Sequence, residues 1–313
     1  MKVLKKLKKV IKKEDEKMNF EKISKEWLNY KRISIKDSTY YNYLFIIEKY
    51  LNPEFKDKDI ESIQSYNYYV QRLQEKLSSK TIRDIINVLK AILKYYESEY
   101  DCILQVKRIN VPKIEKTRLK ILTNKEKEQL EKYCFEKNTL KTLGIVLCLN
   151  TGMRVGEICA LKWKNIDLDN KYIYVEKTLQ RVYNQQNKNS NIIIDKPKSN
   201  SSIRSIPINK KTYEVLKKMK KKFNDNDYFL SGKSNKVVEP RNYQYTFKSI
   251  LRKCKLKPYK FHILRHTFAT NCIEVGMDAK SLSEILGHSD VDITLGTYVH
   301  SSDKIKKKYL EKL

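Results

Sequence analysis

The stretch TGMRVGEICALKW (residues 151–163) ends one helical pattern and begins another. Gly152 breaks the pattern of the apolar segment before it, and helical spacing resumes with Arg154 and Glu157 three residues apart. A pair at this spacing is usually an ordinary ion pair on the surface of one helix. The Thr-Gly-Met that precedes it here favours a functional role over that interpretation.

A second stretch, FHILRHTFAT (residues 261–270), raises the same question about basic side chains in a helix. His262 and Arg265 lie one turn apart in an otherwise apolar segment. A lone histidine there is usually a satisfied core residue, and Leu264 and Cys272 belong to an apolar stripe beside it. A guanidinium beside the imidazole is harder to explain as a core residue, because a buried charged group such as Arg265 needs a partner. The helix is therefore expected to be partly core, and the residues around these two basic side chains do not yet say what they hold.

The charge of the 313-residue chain indicates a polyanionic partner. Lys and Arg number 66 against 37 Asp and Glu, which gives a formal net charge of +29. Such an excess favours nucleic acid, with an anionic membrane surface as the alternative. The abundance of Lys, Ile, Asn and Tyr also fits coding by an AT-rich genome, which would raise the charge without any partner. No run approaches the roughly 18 apolar residues of a membrane span, so no transmembrane segment is predicted.

Composition and pattern divide the chain into segments of different character. Residues 1–18 are basic and lack the apolar run of a secretory signal, so they are interpreted as an amphipathic helix, a disordered arm or a leader upstream of the true start. Residues 19–105 predict a helical bundle with a basic exterior. The charge run and Pro112 predict an extended linker over 106–120, and residues 121–313 form the second domain.

Two helix signals are the clearest in the chain. In SSKTIRDIINVLKAILKYY (residues 78–96) the apolar residues recur at the i, i+3, i+4, i+7 positions of one helix face. Thr123 with Glu126 three residues later forms a capping box, which predicts that a helix begins there.

The middle of the second domain changes to a pattern of short strands. KYIYVEKT (171–178), NIIIDKP (191–197) and SSIRSIPI (201–208) are rich in β-branched residues and separated by polar turns. We expect them to form one small antiparallel sheet, with a long polar connection over 179–190. The predicted fold class is therefore α+β, mainly α-helical with a small antiparallel β-sheet.

Several common catalytic motifs are missing from the chain. SGKSN (231–235) superficially resembles a phosphate loop, but Asp227 stands where a Walker A motif needs glycine. The six cysteines have neither C-x-x-C spacing nor a neighbouring His pair, so structural zinc is not expected and they are interpreted as reduced core thiols. Asp and Glu are scattered without a cluster for a two-metal nuclease. We therefore expect neither a cofactor nor a metal.

Basic and hydroxyl residues follow one another in a distinctive order through the second half of the chain. The order Arg, Lys, His-x-x-Arg, His, Tyr, together with TGMRVGEICALKW, HILRHTFAT and LGHSDVDITLGTYVH, resembles the tyrosine recombinase family, the relatives of phage integrases. The resemblance covers roughly 120–300, and the helical bundle is similar in pattern to the SAM-like core-binding domain of the family. It implies a catalytic domain of the DNA breaking-rejoining type. The matching residues are Arg154, Lys198, His262, Arg265, His288 and Tyr298, with Glu157 beside the first.

The resemblance implies that the cations hold one phosphate of DNA. Arg154 and Arg265 would place their forked guanidiniums on the non-bridging oxygens, where charge grows in the transition state. His288 would donate a hydrogen bond to a phosphate oxygen, although it could also simply cap the helix that ends before it. Glu157 would orient a basic neighbour.

The resemblance also implies a covalent mechanism that needs neither ATP nor metal. Tyr298 would attack phosphorus and form a 3′-phosphotyrosine, with His262 as the candidate base, because a phenol with an ordinary pKa near ~10 needs help to ionise. Lys198 would protonate the departing 5′-hydroxyl. Lys196 in the same predicted turn is the alternative for that role, and the pattern PKSNSSIRSIPI favours Lys198.

The expected partner is double-stranded DNA with specific recombination sites, in the cytoplasm at the nucleoid and without a membrane. The family resemblance implies a homo-tetramer on two sites, with accessory DNA-bending or directionality factors as further candidates. A tail over 303–313 is expected to dock on a neighbouring protomer. The preferred biology is integration and excision of a mobile element.

Three other functions would account for part of the same pattern. A Xer-type recombinase for chromosome dimer resolution uses the same chemistry, and a type IB topoisomerase uses similar groups to relax supercoils. A helix-turn-helix regulator would explain the charge and the segment KSLSEILGHSDVDITLGTYVH (280–300), but it would leave the other motifs as coincidences.

Overall fold

The computed structural model describes residues 18–63, 66–104, 106, 109–113, 119–184, 189–195, 200–298 and 311. These residues divide into two compact units with a boundary between Thr117 and Arg118, and with Val182–Ser190 counted in the first unit. The domain limits expected from the sequence remain predictions. The basic extension, apart from Met18, lies outside the described residues, as does the tail apart from Glu311.

The first unit is a helical bundle. Its core is formed by apolar side chains from every α-helix of the unit. The helices are α1 (Phe20–Arg32), α2 (Asp37–Ile46) with a π-helical turn (Ile47–Leu51), α3 (Asn52–Phe55), α4 (Tyr66–Gln74) and α5 (Ser79–Tyr100), with a 3-10 turn at Ile60–Ser62.

The long helix α5 follows the predicted pattern. The Ser78 side chain caps it by accepting a hydrogen bond from the backbone N–H of Thr81. The face predicted from the sequence is buried along its whole length: Ile82, Ile85, Ile86, Leu89, Ile92, Leu93 and Tyr96. Burying this stripe against the other helices is what stabilises the bundle, because each large apolar side chain contributes about 1.5–3 kcal/mol when it leaves water.

The second unit is mainly helical, and its helices surround a large apolar core. The predicted capping box is present, since Thr123 and Glu126 exchange hydrogen bonds at the start of the first helix. The helices are α6 (Asn124–Lys137), α7 (Leu140–Thr151), α8 (Val155–Ala160), α9 (Lys210–Lys220), α10 (Pro240–Lys253), α11 (Ile263–Glu274), α12 (Ala279–Leu286) and α13 (Val291–Tyr298), with 3-10 turns at Trp163–Asn165 and Asn200–Ser202.

The strands of the second half differ in their grouping from the prediction. The strands are β1 (Ile166–Asp167), β2 (Tyr172–Val175), β3 (Thr178–Asn184), β4 (Asn189–Asp195) and β5 (Arg204–Pro207). An antiparallel sheet has the order β1-β2-β5, and its register pairs the buried Ile173 with the buried Ile206.

The expectation of one sheet from three strands was therefore wrong in detail. Segment 191–197 contributes to β4, which pairs with β3 in a separate sheet, and β3 lies partly in the region 179–190 that was interpreted as a polar connection. Ile192 and Ile194 on β4 are 39% and 37% exposed. Leu179 anchors β3 in the core, but Ile192 and Ile194 do not anchor β4 there, so the apolar residues of β4 gave no clue to its partner. The predicted fold class, mainly helical with small antiparallel sheets, is confirmed.

Candidate active site

The end of helix α12 gathers arginines from distant parts of the chain. The last carbonyls of a helix have no partner within it and carry partial negative charge, so they attract cations. Consecutive carbonyls of α12 and its cap each accept a hydrogen bond from a different guanidinium. The pairs are Arg204 Nε to Ile285, Arg265 Nη2 to Leu286 at 2.8 Å, and Arg154 Nη2 to Gly287 at 3.1 Å.

Arg265 is the most buried of these guanidiniums, at 2% exposed. Besides Leu286, it donates through Nη1 to the carbonyl of Gly152 at 2.9 Å, so it bridges the ends of α7 and α12. Burial and then the charge of Arg154 lower the pKa of Arg265 to about 9, which leaves it charged at neutral pH. These two backbone acceptors, which do not titrate, help to fix the orientation of its guanidinium.

Gly152 shapes the turn that carries the first predicted motif. It ends α7 with φ +65°, and a Cβ there would lie 2.6 Å from Phe268 and 2.7 Å from Leu286. Only glycine adopts this left-handed conformation without strain and leaves room for both neighbours. The turn places Arg154 at the start of α8, with its side chain 35% exposed, so its guanidinium can reach a ligand from solvent.

Glu157 links Arg154 to a residue that the sequence analysis did not single out. Its carboxylate accepts from the Arg154 backbone N–H at 2.8 Å and from Arg154 Nη1 at 2.7 Å. The same carboxylate accepts from Arg204 Nη2 at 2.9 Å and Nη1 at 3.2 Å. Burial, which opposes ionisation, is outweighed by the charge and hydrogen bonds of Arg204 and then of Arg154, so the pKa of Glu157 is lowered. The pair at 154 and 157 is therefore not an ordinary surface pair, because Glu157 is 2% exposed.

Tyr298 lies at the end of α13 and is 1% exposed. Its ring packs in a small apolar cluster with Leu282 and Leu286 of α12. The phenol oxygen lies 3.0 Å from Nδ1 of His266. Burial raises the pKa of Tyr298, although the Arg265 guanidinium opposes this shift.

The imidazole that contacts the phenol is thus His266, whereas the sequence analysis named His262 as the candidate base. His262 is exposed at the start of α11, and its ring meets that of His266 edge-on with 4.5 Å between ring centroids. Partial burial of the ring, then His266 and the charges of Arg265 and Arg154, lower the pKa of His262. The two histidines are four positions apart, so they occupy the same face of the helix, and this spacing was the available signal for His266.

His288 completes the cluster next to Tyr298. Its ring is parallel to that of Tyr298, with 6.5 Å between centroids, and its Nδ1 lies 2.7 Å from Thr294 Oγ1. Burial and then the charges of Arg265, Arg154 and Arg204 lower the pKa of His288 to about 4. A neutral imidazole at neutral pH can serve as either a donor or an acceptor toward a ligand.

The structure brings together Arg154, Glu157, His262, Arg265, His288 and Tyr298, and it adds Arg204 and His266. Lys198 and its alternative Lys196 lie outside the described residues. Within the described ranges, no group of three or more His, Cys, Asp or Glu residues is arranged to hold a metal ion. In the same part of the chain, no helix is both long and apolar enough to span a membrane.

The profile of the phage integrase family matches residues 120–304, and that of the phage integrase N-terminal SAM-like domain matches residues 19–78. This chain belongs to the phage integrase family. Its resemblance to tyrosine recombinases, stated above from the motifs, is confirmed. With the family shown, the interpretation of the chain as a helix-turn-helix regulator is set aside.

Similar proteins of the phage integrase family cover most of the chain. A tyrosine recombinase XerC-like protein of Caldanaerobacter subterraneus subsp. tengcongensis is 32% identical over 90% of this chain and 79% of the relative. The ICEBs1 integrase of Bacillus subtilis is 28% identical over 90% of this chain and 78% of the relative. The Tn1549 transposon integrase, solved with circular intermediate DNA, has a TM-score of 0.72 and 25% identity over 93% of this chain and 99% of that one.

The fold is also shared with a more distant member of the family. A lambda integrase tetramer bound to a Holliday junction has a TM-score of 0.65 at 18% identity, covering 89% of this chain and 80% of that one. At this identity the likeness concerns the fold alone. Both described units of the chain thus have the architecture of a phage integrase.

Proposed function

We propose that this phage integrase family member is a site-specific DNA recombinase that integrates and excises a mobile element, with Tyr298 as its nucleophile. The observation that carries the proposal is the convergence of Arg154 and Arg265 on adjacent carbonyls of α12, next to His288 and Tyr298. Segments more than a hundred residues apart in sequence meet there. Backbone carbonyls orient both guanidiniums without neutralising them, which favours binding of an incoming phosphate.

The arginines are proposed to bind the non-bridging oxygens of the scissile phosphate. Arg154 is the partly exposed member and makes the first contact, while the buried Arg265 is held rigidly behind it. His288 would add a hydrogen bond to the same phosphate. Donors that are already oriented toward developing charge contribute roughly 3–4 kcal/mol each to the transition state.

The covalent step would exchange one phosphate ester for another. The Tyr298 oxygen attacks phosphorus, the 3′-phosphotyrosyl bond forms, and the bond from phosphorus to the 5′-oxygen breaks. The phenol proton would pass to an imidazole, with His262 the candidate from the sequence and His266 the ring that contacts the phenol without DNA. Catalytic hydrogen bonds often tighten only in the substrate complex, so His262 remains a candidate. Lys198 would protonate the departing 5′-hydroxyl.

The proposed substrate is double-stranded DNA, bound in the compartment that holds the nucleoid. The net charge of +29 supports contacts to phosphates, and binding should weaken steeply with salt. We propose that segment 106–120 links two DNA-binding domains, 19–105 and 121–313. The tetramer described for lambda integrase supports a homo-tetramer here, with residues 303–313 docking on the next protomer.

A Xer-type role in chromosome dimer resolution is the second candidate. The 32% identity to a XerC-like recombinase supports it. The similarity to integrases of ICEBs1 and Tn1549 supports the mobile element instead. Deleting the gene distinguishes the two candidate functions. If the element is no longer excised but chromosomes still segregate normally, the integrase is favoured. If unsegregated chromosomes accumulate, the Xer-type role is favoured.

Covalent trapping tests the proposal. Duplexes drawn from the DNA that flanks the gene are each nicked a few nucleotides 3′ of the candidate cleavage position. Cleavage then releases a short fragment that carries the new 5′-hydroxyl, and its diffusion leaves the protein attached to the 3′-phosphate of the remaining strand. The wild-type chain should give a protein–DNA adduct that survives denaturing electrophoresis, and Tyr298→Phe should give none. Tyr243→Phe is the matched control, because its buried phenol serves only the backbone carbonyl of Lys141 among the bonds described and cleavage should persist. An adduct in Tyr298→Phe would refute the assignment of the nucleophile.

A further inference from the structure

Arg204 is buried beside the active site and contacts Glu157. Its contacts are those of a residue that influences the site through Glu157 and does not itself bind a ligand. Its side chain is 5% exposed, and that of Glu157 is 2% exposed. The guanidinium faces the carboxylate with both terminal nitrogens, and Nε donates to the carbonyl of Ile285. It is therefore held between the acid that orients Arg154 and the helix end that Arg154 also contacts.

The charges of this cluster explain why a second arginine is needed. Glu157 alone would neutralise Arg154, since its Oε1 lies 2.7 Å from Arg154 Nη1. An arginine paired only with a buried carboxylate presents little net positive charge to a phosphate. Arg204 supplies the compensating charge to the same carboxylate, at 2.9 Å. The charge of Arg154 then remains available to an anion.

We propose that Arg204 is a positioning residue for the recombination reaction, one that compensates Glu157 so that Arg154 stays oriented and positively charged toward the scissile phosphate. This inference rests on the proposed function. It concerns a residue of β5 that never touches DNA in the proposed complex. It also assigns a role to the arginine of SSIRSIPI, which sequence analysis quoted only as flanking pattern.

The geometry requires arginine at this position. The planar fork meets both carboxylate oxygens while Nε, on the other edge, reaches Ile285, and Nη1 also lies 3.2 Å from the carbonyl of Ser202. A lysine offers a single ammonium and cannot meet the carboxylate and the helix end together. The backbone of Arg204 is fixed by its antiparallel pairing with Val175. The side chain thus starts from a rigid strand.

The test is a double-mutant cycle on single-turnover cleavage of the nicked duplex. Arg204→Gln leaves Glu157 with Arg154 as its remaining described cation, and cleavage should slow by at least roughly tenfold. Arg204→Gln combined with Glu157→Gln removes both opposite charges and should recover much of that loss. Arg204→Lys keeps the charge without the fork and should fall between wild type and Arg204→Gln. Lys211→Gln, which breaks the more exposed pair with Glu131, should stay within roughly twofold of wild type.

A second readout separates an electrostatic role from a merely structural one. In a duplex with a neutral methylphosphonate at the scissile linkage, the deficit of Arg204→Gln relative to wild type should shrink, because that linkage lacks the charge that the cations must meet. A structural defect would slow both linkages equally. Equal deficits on the two linkages, or a double variant as slow as the product of the two single variants, would overturn the inference.

Folding and function are kept apart in this design. If Arg204→Gln does not fold, the double variant decides. Its cleavage within roughly tenfold of wild type supports the inference, and a folded but inactive double variant overturns it. Failure of the proposed function would appear differently, as a wild-type chain that forms no adduct dependent on Tyr298. A normal wild-type adduct with normal cleavage by Arg204→Gln would overturn only the role of Arg204.

Discussion

Gly287 is the position where one added carbon should disturb the arginine cluster most directly. It ends α12 in the left-handed conformation, with φ +66°, and its carbonyl accepts from Arg154. A Cβ built there would lie 3.0 Å from Cδ of Arg204, 3.1 Å from its Nη1 and 3.1 Å from the carbonyl oxygen of Ser201. Gly287→Ala therefore strains the backbone and presses on a buried guanidinium that has no free space.

The expected cost can be worked from these contacts. An alanine in the left-handed region costs about 1–2 kcal/mol, and displacing the Arg204 side chain adds to this, so a total of about 2 kcal/mol is expected. For a domain of this size, about 2 kcal/mol corresponds to a fall of about 4–8 °C in melting temperature. Cleavage should also slow, because the carbonyl that anchors Arg154 shifts with the turn.

Thermal unfolding followed by tryptophan fluorescence measures this effect. The chain has 2 tryptophans, Trp27 in the first unit and Trp163 in the second, so a Trp27→Phe background lets Trp163 report on the second unit. Gly296→Ala in the neighbouring helix α13 is the matched control, because a Cβ there meets nothing within 4 Å. That change should be neutral or stabilising by up to about 1 kcal/mol. Equal melting temperatures for Gly287→Ala and wild type, with equal cleavage rates, would refute the reasoning.

The remaining predictions concern the fork of Arg265 and the histidines. Arg265→Lys should cleave at least roughly 100-fold more slowly in single-turnover assays, because an ammonium cannot bridge the carbonyls of Gly152 and Leu286; a rate near wild type would show that charge alone suffices. Burial lowers the pKa of His288 in the folded state, so the unfolded chain binds more protons in mildly acidic solution, and the free energy of unfolding should fall as the pH drops from about 7 to 5. His288→Gln should flatten that dependence in urea titrations, and an unchanged slope would contradict the assignment.

Local features of this protein could be predicted from the sequence because they depend on neighbours along the chain. The buried face of α5 follows from apolar residues at helical spacing, and the start of α6 follows from Thr123 and Glu126. The order of the motifs also indicated the tyrosine recombinase family, which the family profile confirmed. The helix signals depend on residues only a few positions apart. The family signal depends only on the order in which short motifs follow one another along the chain.

Strand partners could not be predicted in the same way. The β-branched run in segment 191–197 shows that it can be a strand, but it does not say whether β2 or β3 lies beside it. Ile192 and Ile194 remain partly exposed, so burial did not select the partner either. Pairing is decided by which backbone groups meet in space, and that depends on the whole domain.

The amino-acid sequence by itself determined the helices, the family and the chemical types gathered in the second half. Only the tertiary structure decided that Arg204, 47 residues beyond Glu157, shares its carboxylate, and that His266 meets the phenol of Tyr298. His262 and His266 occupy the same face of α11, so helical spacing alone could not choose between them. The choice was made by the packing of α13 against α11 and α12, which places Tyr298 within 3.0 Å of the second histidine.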